Sequence, residues 1–242
     1  HLTSANRRER RRNVLNTAVR IAVPSIAWIT LAALSTDGYH LRDVLLVNGI
    51  LGHRSNYWFI EIMVYTLITM AACLTIPALD TMERRFPFEF PLLLCALGLV
   101  TRYDLFGITT QLHLTNAIVA FWLFPLGWAA ARANTAKQRM LITAIVLITV
   151  PGYFGPEGMS REILIVAGVM LLIWVRRLPS LSPLNHVAGL LAAGTLYIYL
   201  THWQIYPLFR GYPQLLALFV SIAIGIAYTA VATKAMRYLK LG

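Results

Sequence analysis

Four ionisable side chains, Glu61, Arg102, His113 and His202, sit within stretches of this sequence that are otherwise apolar. In hydrocarbon such groups cost roughly 2.5–3.5 kcal/mol each at the centre of a helix, so they are few and usually placed for a reason. A carboxylate, an arginine and two histidines could supply a general base, its orienting partner and a donor that stabilises an anion. They could equally be structural, with Glu61 pairing Arg102 near a lipid–water interface. His53, Arg54 and Asp104 lie just beside the same stretches. Arg20 directly precedes the apolar run IAVPSIAWITLAALST, which places it at a membrane boundary.

The elements that must position these residues are helices in a membrane. Of 242 residues 58% are hydrophobic and 13% charged, and the mean hydropathy is +0.64, outside the range of soluble domains. Every backbone N–H and C=O in hydrocarbon needs a partner within the protein, which leaves helix bundles and closed barrels. The apolar runs are too long for barrel strands of about ten alternating residues, so the expected class is all-α, a polytopic transmembrane bundle. About eight spans are expected, at 20–36, 57–79, 88–106, 114–131, 140–154, 162–175, 187–206 and 214–232. They form one domain, with a basic segment 1–19 before it and a tail 233–242 after it.

In this topology spans two and four run inward while three and seven run outward, which brings Glu61, His113, Arg102 and His202 to one depth in the extracytoplasmic third. The formal charge of +11 suggests nucleic acid only until its placement is read. With the first segment inside, the other side holds only Arg42, Arg54, Arg102, Arg161 and Arg210; the remaining sixteen of 21 Lys and Arg are cytoplasmic. These charges orient helices, and nucleic acid is not an expected partner. The run RRERRR could grip donor phosphates or anchor the chain on anionic lipid. Tyr57, Trp58, Trp128, Trp203 and Tyr206 near span ends read as an interfacial aromatic belt. Cys73 and Cys95 read as packing residues, and no metal site, phosphate loop, HExxH or nucleophile elbow occurs.

Four pieces in order, the basic stretch ending in RIAVP, HRSNYWFIEIMVYTL, AFWLFPLGWAAAR and TLYIYLTHWQIYPL, resemble the membrane-bound acyltransferase family 3. That resemblance implies a ten-helix bundle that takes an acyl group from a cytoplasmic thioester, acyl-CoA, to a hydroxyl of an extracytoplasmic glycan or lipid. No tightly bound cofactor is expected. Arg20 matches the boundary arginine of the family's Arg-rich loop, Glu61 the acidic position after the WF pair, and His202 the histidine of YLTH. Glu61 and His202 are therefore the expected catalytic residues, with Arg20, Trp58, Arg102 and His113 on the substrates. The family's principal histidine and its Ser-Gly-Phe-type segment do not occur here. The Arg42–His53 and Arg102–His113 pairs share the family's arginine–histidine spacing by coincidence. The expectation is that this sequence holds helices three to ten, in a bacterial inner membrane with both ends cytoplasmic. The alternative is a non-catalytic carrier or flippase-like bundle, or an inactive fragment.

Overall fold

The computed structural model describes residues 6–36, 38–114, 116–155, 158–175 and 182–239. Arg176, Arg177 and Lys240, part of the charge count above, lie outside them. The described elements are helical throughout, with no strand among the described residues. The longer helices are α1 (Arg7–Ser35), α2 (Trp58–Cys73), α3 (Pro77–Arg85), α4 (Glu89–Arg102), α5 (Leu123–Arg132), α6 (Ala136–Thr149), α7 (Met159–Trp174), α8 (Ser182–Leu208) and α9 (Gln214–Tyr238).

Local sequence accounts for their ends. Asn6 caps α1 by accepting from Arg8 N at 2.9 Å, and Glu9 adds negative charge to the positive end of the helix. The helix therefore begins within the basic segment and runs through Arg20 into the apolar run without a break, where the sequence suggested a separate tail and a short span. Its buried stripe, Arg10, Val14, Ala18, Ile21, Ser25, Ile29 and Ala32, follows the spacing of one helix face. Pro24 lies inside it and removes the N–H that would bond the Arg20 carbonyl. Thr135 and Gln138 form a capping box at the start of α6, with bonds of 3.2 and 3.1 Å.

Three helices, Arg7–Ser35, Leu184–Leu208 and Gln214–Tyr238, are long and apolar enough to cross a membrane. Two more candidates are bent pairs, α2 with α3 at 102° and α4 with Leu105–Gln111 at 79°. Among the described residues the chain thus has three to five candidate spans, and it is built as an integral membrane protein. The expected eight apolar runs are largely helical, but α6 and α7 have 14 and 16 residues. At 1.5 Å per residue those reach about 21 to 24 Å, short of the ~30 Å hydrocarbon layer. Large side chains such as Leu34, Ile148, Leu164 and Leu208 are more than 70% exposed, an apolar exterior that water would not tolerate and lipid requires.

The chain divides into two compact units. Unit 1 comprises His1–Ile76, His113–Ile118 and Ser180–Gly242; here α1 packs on α2 and α8, and α8 packs on α9. Its core centres on Ile21, Ile29, Leu46, Tyr57, Ile60, Val64 and Leu200. Unit 2 comprises Pro77–Leu112 and Val119–Pro179, with α4 against Ala120–Trp122 and α5, and α7 against α5 and α6. Its core includes Cys95, Trp122, Leu126, Ile142 and Val146.

Candidate functional site

Glu61 lies one turn into α2 and is fully buried. A charged carboxylate there needs donors, and the connecting segment 46–57 supplies them. Asn48 Nδ2 donates to Oε1 at 3.0 Å and the Gly49 N–H to Oε2 at 2.8 Å. Asn48 Nδ2 also reaches Asp43 Oδ1 at 3.0 Å, and the Tyr65 hydroxyl donates to the Leu46 carbonyl at 2.7 Å. Glu61 therefore fastens the segment before α2 onto the helix. Arg102, with which the sequence reading could pair it, belongs to unit 2, where its guanidinium lies over the Tyr103, Trp122 and Tyr153 rings.

His202 sits on α8 in the same unit as Glu61, partly buried. Its Nδ1 is 2.6 Å from the Tyr199 carbonyl, which can only accept, so Nδ1 carries the proton. In the neutral ring the lone pair is then on Nε2, the tautomer a general base needs. The imidazole lies tilted against Trp203 at 4.6 Å and Tyr199 at 5.4 Å between ring centroids. Tyr199 meets Phe59 edge-on at 5.6 Å, and Phe59 meets Trp58 at 6.1 Å, so a chain of rings joins Trp58 to His202. The Tyr199 hydroxyl donates to the Asn56 carbonyl at 2.8 Å, tying α8 to the start of α2.

Gln204, two residues beyond His202, holds a third polar node. Its Oε1 accepts from Trp28 Nε1 at 2.8 Å, and its Nε2 donates to the Tyr39 and Tyr57 hydroxyls at 2.5 and 2.6 Å. One amide thus joins α1, the segment after it, the start of α2 and α8. Tyr57 is fully buried in this node, so it belongs to the core, where the sequence suggested an aromatic belt.

Glu61, His202, Trp58, Arg20 and His113 all fall in unit 1, and Arg102 in unit 2. Arg20 is exposed on α1, eight residues before Trp28, which places it about 12 Å along the helix axis from the Gln204 node. His113 is exposed with φ +48°. Asn48, Tyr39 and Gln204 are organising residues that sequence reasoning missed. An amide in the last turns of an apolar 27-residue helix was the available signal for Gln204.

No protein-family model, curated protein or solved structure matches this chain. The functional reading therefore stands on the geometry of unit 1 and on the four sequence pieces described above.

Proposed function

We propose that this chain belongs to a membrane acyltransferase that moves an acyl group from cytoplasmic acyl-CoA to a hydroxyl of an extracytoplasmic glycan or lipid. The observation that carries the reading is His202, whose Nδ1–H is spent on the Tyr199 carbonyl so that Nε2 can accept a proton. In the reaction the acceptor hydroxyl attacks the thioester carbonyl, its proton passes to a base such as Nε2, and coenzyme A leaves as a thiol. Glu61 acts through the segment 46–57, which it anchors beside α8. Trp58 offers a ring face to the acceptor, and His113 remains a candidate acceptor contact.

The separation of Arg20 from the His202 end of α1 fits a donor held at one membrane face and an acceptor approached from the other. The exposed Arg20 guanidinium would pair a phosphate of the donor. The arrangement is an eight-span bundle with both ends cytoplasmic in a bacterial inner membrane. The short helices of unit 2 span it through locally thinned lipid.

Acyl transfer from labelled acyl-CoA in membranes holding the intact gene product tests this. His202→Ala is expected to lower kcat by about 10²–10⁴-fold, the range of general-base contributions. Arg20→Ala is expected to raise the KM for acyl-CoA by roughly tenfold or more, the worth of a charged hydrogen bond. Wild-type rates in both variants would refute the assignment.

A further inference from the structure

The first two turns of α1 carry the run RRERRR, and its arginines do not share one environment. Arg10 is buried, 1% exposed, whereas Arg7, Arg8, Arg11 and Arg12 are exposed. Glu9 is the one carboxylate in the run, and none of the four exposed arginines forms an ion pair among the described residues. Local helix energetics oppose this arrangement. Arg7 with Arg11 and Arg8 with Arg12 are like charges four residues apart, and all four lie near the positive end of the helix dipole. An anion held between them would offset both penalties. Length places these turns in turn: at 1.5 Å per residue the 29 residues of α1 reach about 43 Å, against ~30 Å of hydrocarbon, so the charged turns stand among lipid head groups when the apolar remainder crosses.

We propose that one face of α1 binds an anionic phospholipid, with Arg8 and Arg12 on its phosphate and Leu15 and Val19 against an acyl chain. These four residues recur at the spacing of a single helix face, so the two cations lie one turn apart and the apolar side chains follow them towards the membrane. Leu15 is 41% exposed and Val19 is half-buried. The face therefore has the order of the ligand, head group first and hydrocarbon after. A soluble nucleotide would use the arginines and leave Leu15 without a partner. A zwitterionic head group brings a cation of its own and would restore the repulsion that a net negative one relieves. Arg20 follows Val19 directly and so points about 100° away from this face. The lipid site is thus separate from the donor phosphate assigned to Arg20 and does not depend on the acyl-transfer reading.

The test is ligand-dependent thermal unfolding of the full chain in detergent, titrated with dioctanoyl phosphatidylglycerol, dioctanoyl phosphatidylcholine or coenzyme A. The phosphatidylglycerol is expected to raise the midpoint saturably, and at concentrations at least tenfold below those at which the phosphatidylcholine acts. Arg8→Gln and Arg12→Gln should each weaken the phosphatidylglycerol response roughly tenfold or more, the worth of a hydrogen bond to a charged group. Both side chains are exposed, so both variants are expected to fold. Arg20→Gln removes the same charge from another face and should leave the affinity within about threefold, the range of a screened surface charge. Equal losses in Arg20→Gln and Arg12→Gln would show diffuse attraction and overturn the site. No shift in the wild type, or an equal response to phosphatidylcholine, overturns it as well. Coenzyme A, which carries phosphates without an acyl chain, overturns the lipid if it binds as tightly as phosphatidylglycerol.

Discussion

Asn48 is the residue on which the buried carboxylate of unit 1 most depends. It donates to both Glu61 and Asp43, and its removal would leave those acceptors short of a donor where water does not easily reach. Asn48→Ala is expected to cost about 1–3 kcal/mol, and Asn48→Asp more, because a third carboxylate would face two others. Thermal unfolding in detergent checks this, and a wild-type midpoint in both variants would count against it. Nothing in the sequence marked Asn48, a polar residue in a connecting segment whose partner lies 13 positions away. Glu61 and His202 were legible because an ionisable group in an apolar helix is conspicuous. That Glu61 is a fastening and His202 a tautomer-fixed imidazole required the positions of Gly49 and the Tyr199 carbonyl, which no spacing rule gives.

Helix positions were legible in the apolar runs, whereas their bends were legible only in part. The break between α2 and α3 has a sequence cause, since Pro77 disfavours helical backbone at Ile76 and then starts the next helix at a position where its missing N–H costs nothing. The break after Arg102 has no proline, and its turn depends on Asp104 reaching Thr109 and Thr110, a contact that pattern reading does not foresee. Close helix approach is likewise carried by single glycines. A Cβ on Gly225 would lie 2.5 Å from Ile198 Cα across the α8–α9 interface, and one on Gly98 would lie 2.8 Å from Trp122 Cα. Backbone atoms cannot rotate aside, so Gly225→Ala and Gly98→Ala are each expected to destabilise by about 1–3 kcal/mol. Gly189→Ala in α8 and Gly168→Ala in α7 meet nothing within 4 Å and are the controls, expected neutral or stabilising by up to about 1 kcal/mol. Equal effects in all four would show that close approach does not govern these sites.

At the scale of the whole molecule the account rests on an apolar exterior and on basic residues gathered at one side of the lipid. The composition displays the first, and under the proposed eight-span topology Lys and Arg divide sixteen to five. It does not display the division into two units, which arises from which helices pack together. The most direct measurement is labelling of single cysteines with a membrane-impermeant maleimide, after Cys73 and Cys95 are replaced. Asn134, Tyr238 and Leu51 are all exposed, Tyr238 at 78% and Leu51 at 57%. Asn134→Cys and Tyr238→Cys are predicted to react only when the cytoplasmic face is opened, and Leu51→Cys to react from outside in intact cells. Residues 134 and 238 on opposite faces, or residue 51 on the same face as either, would contradict the account.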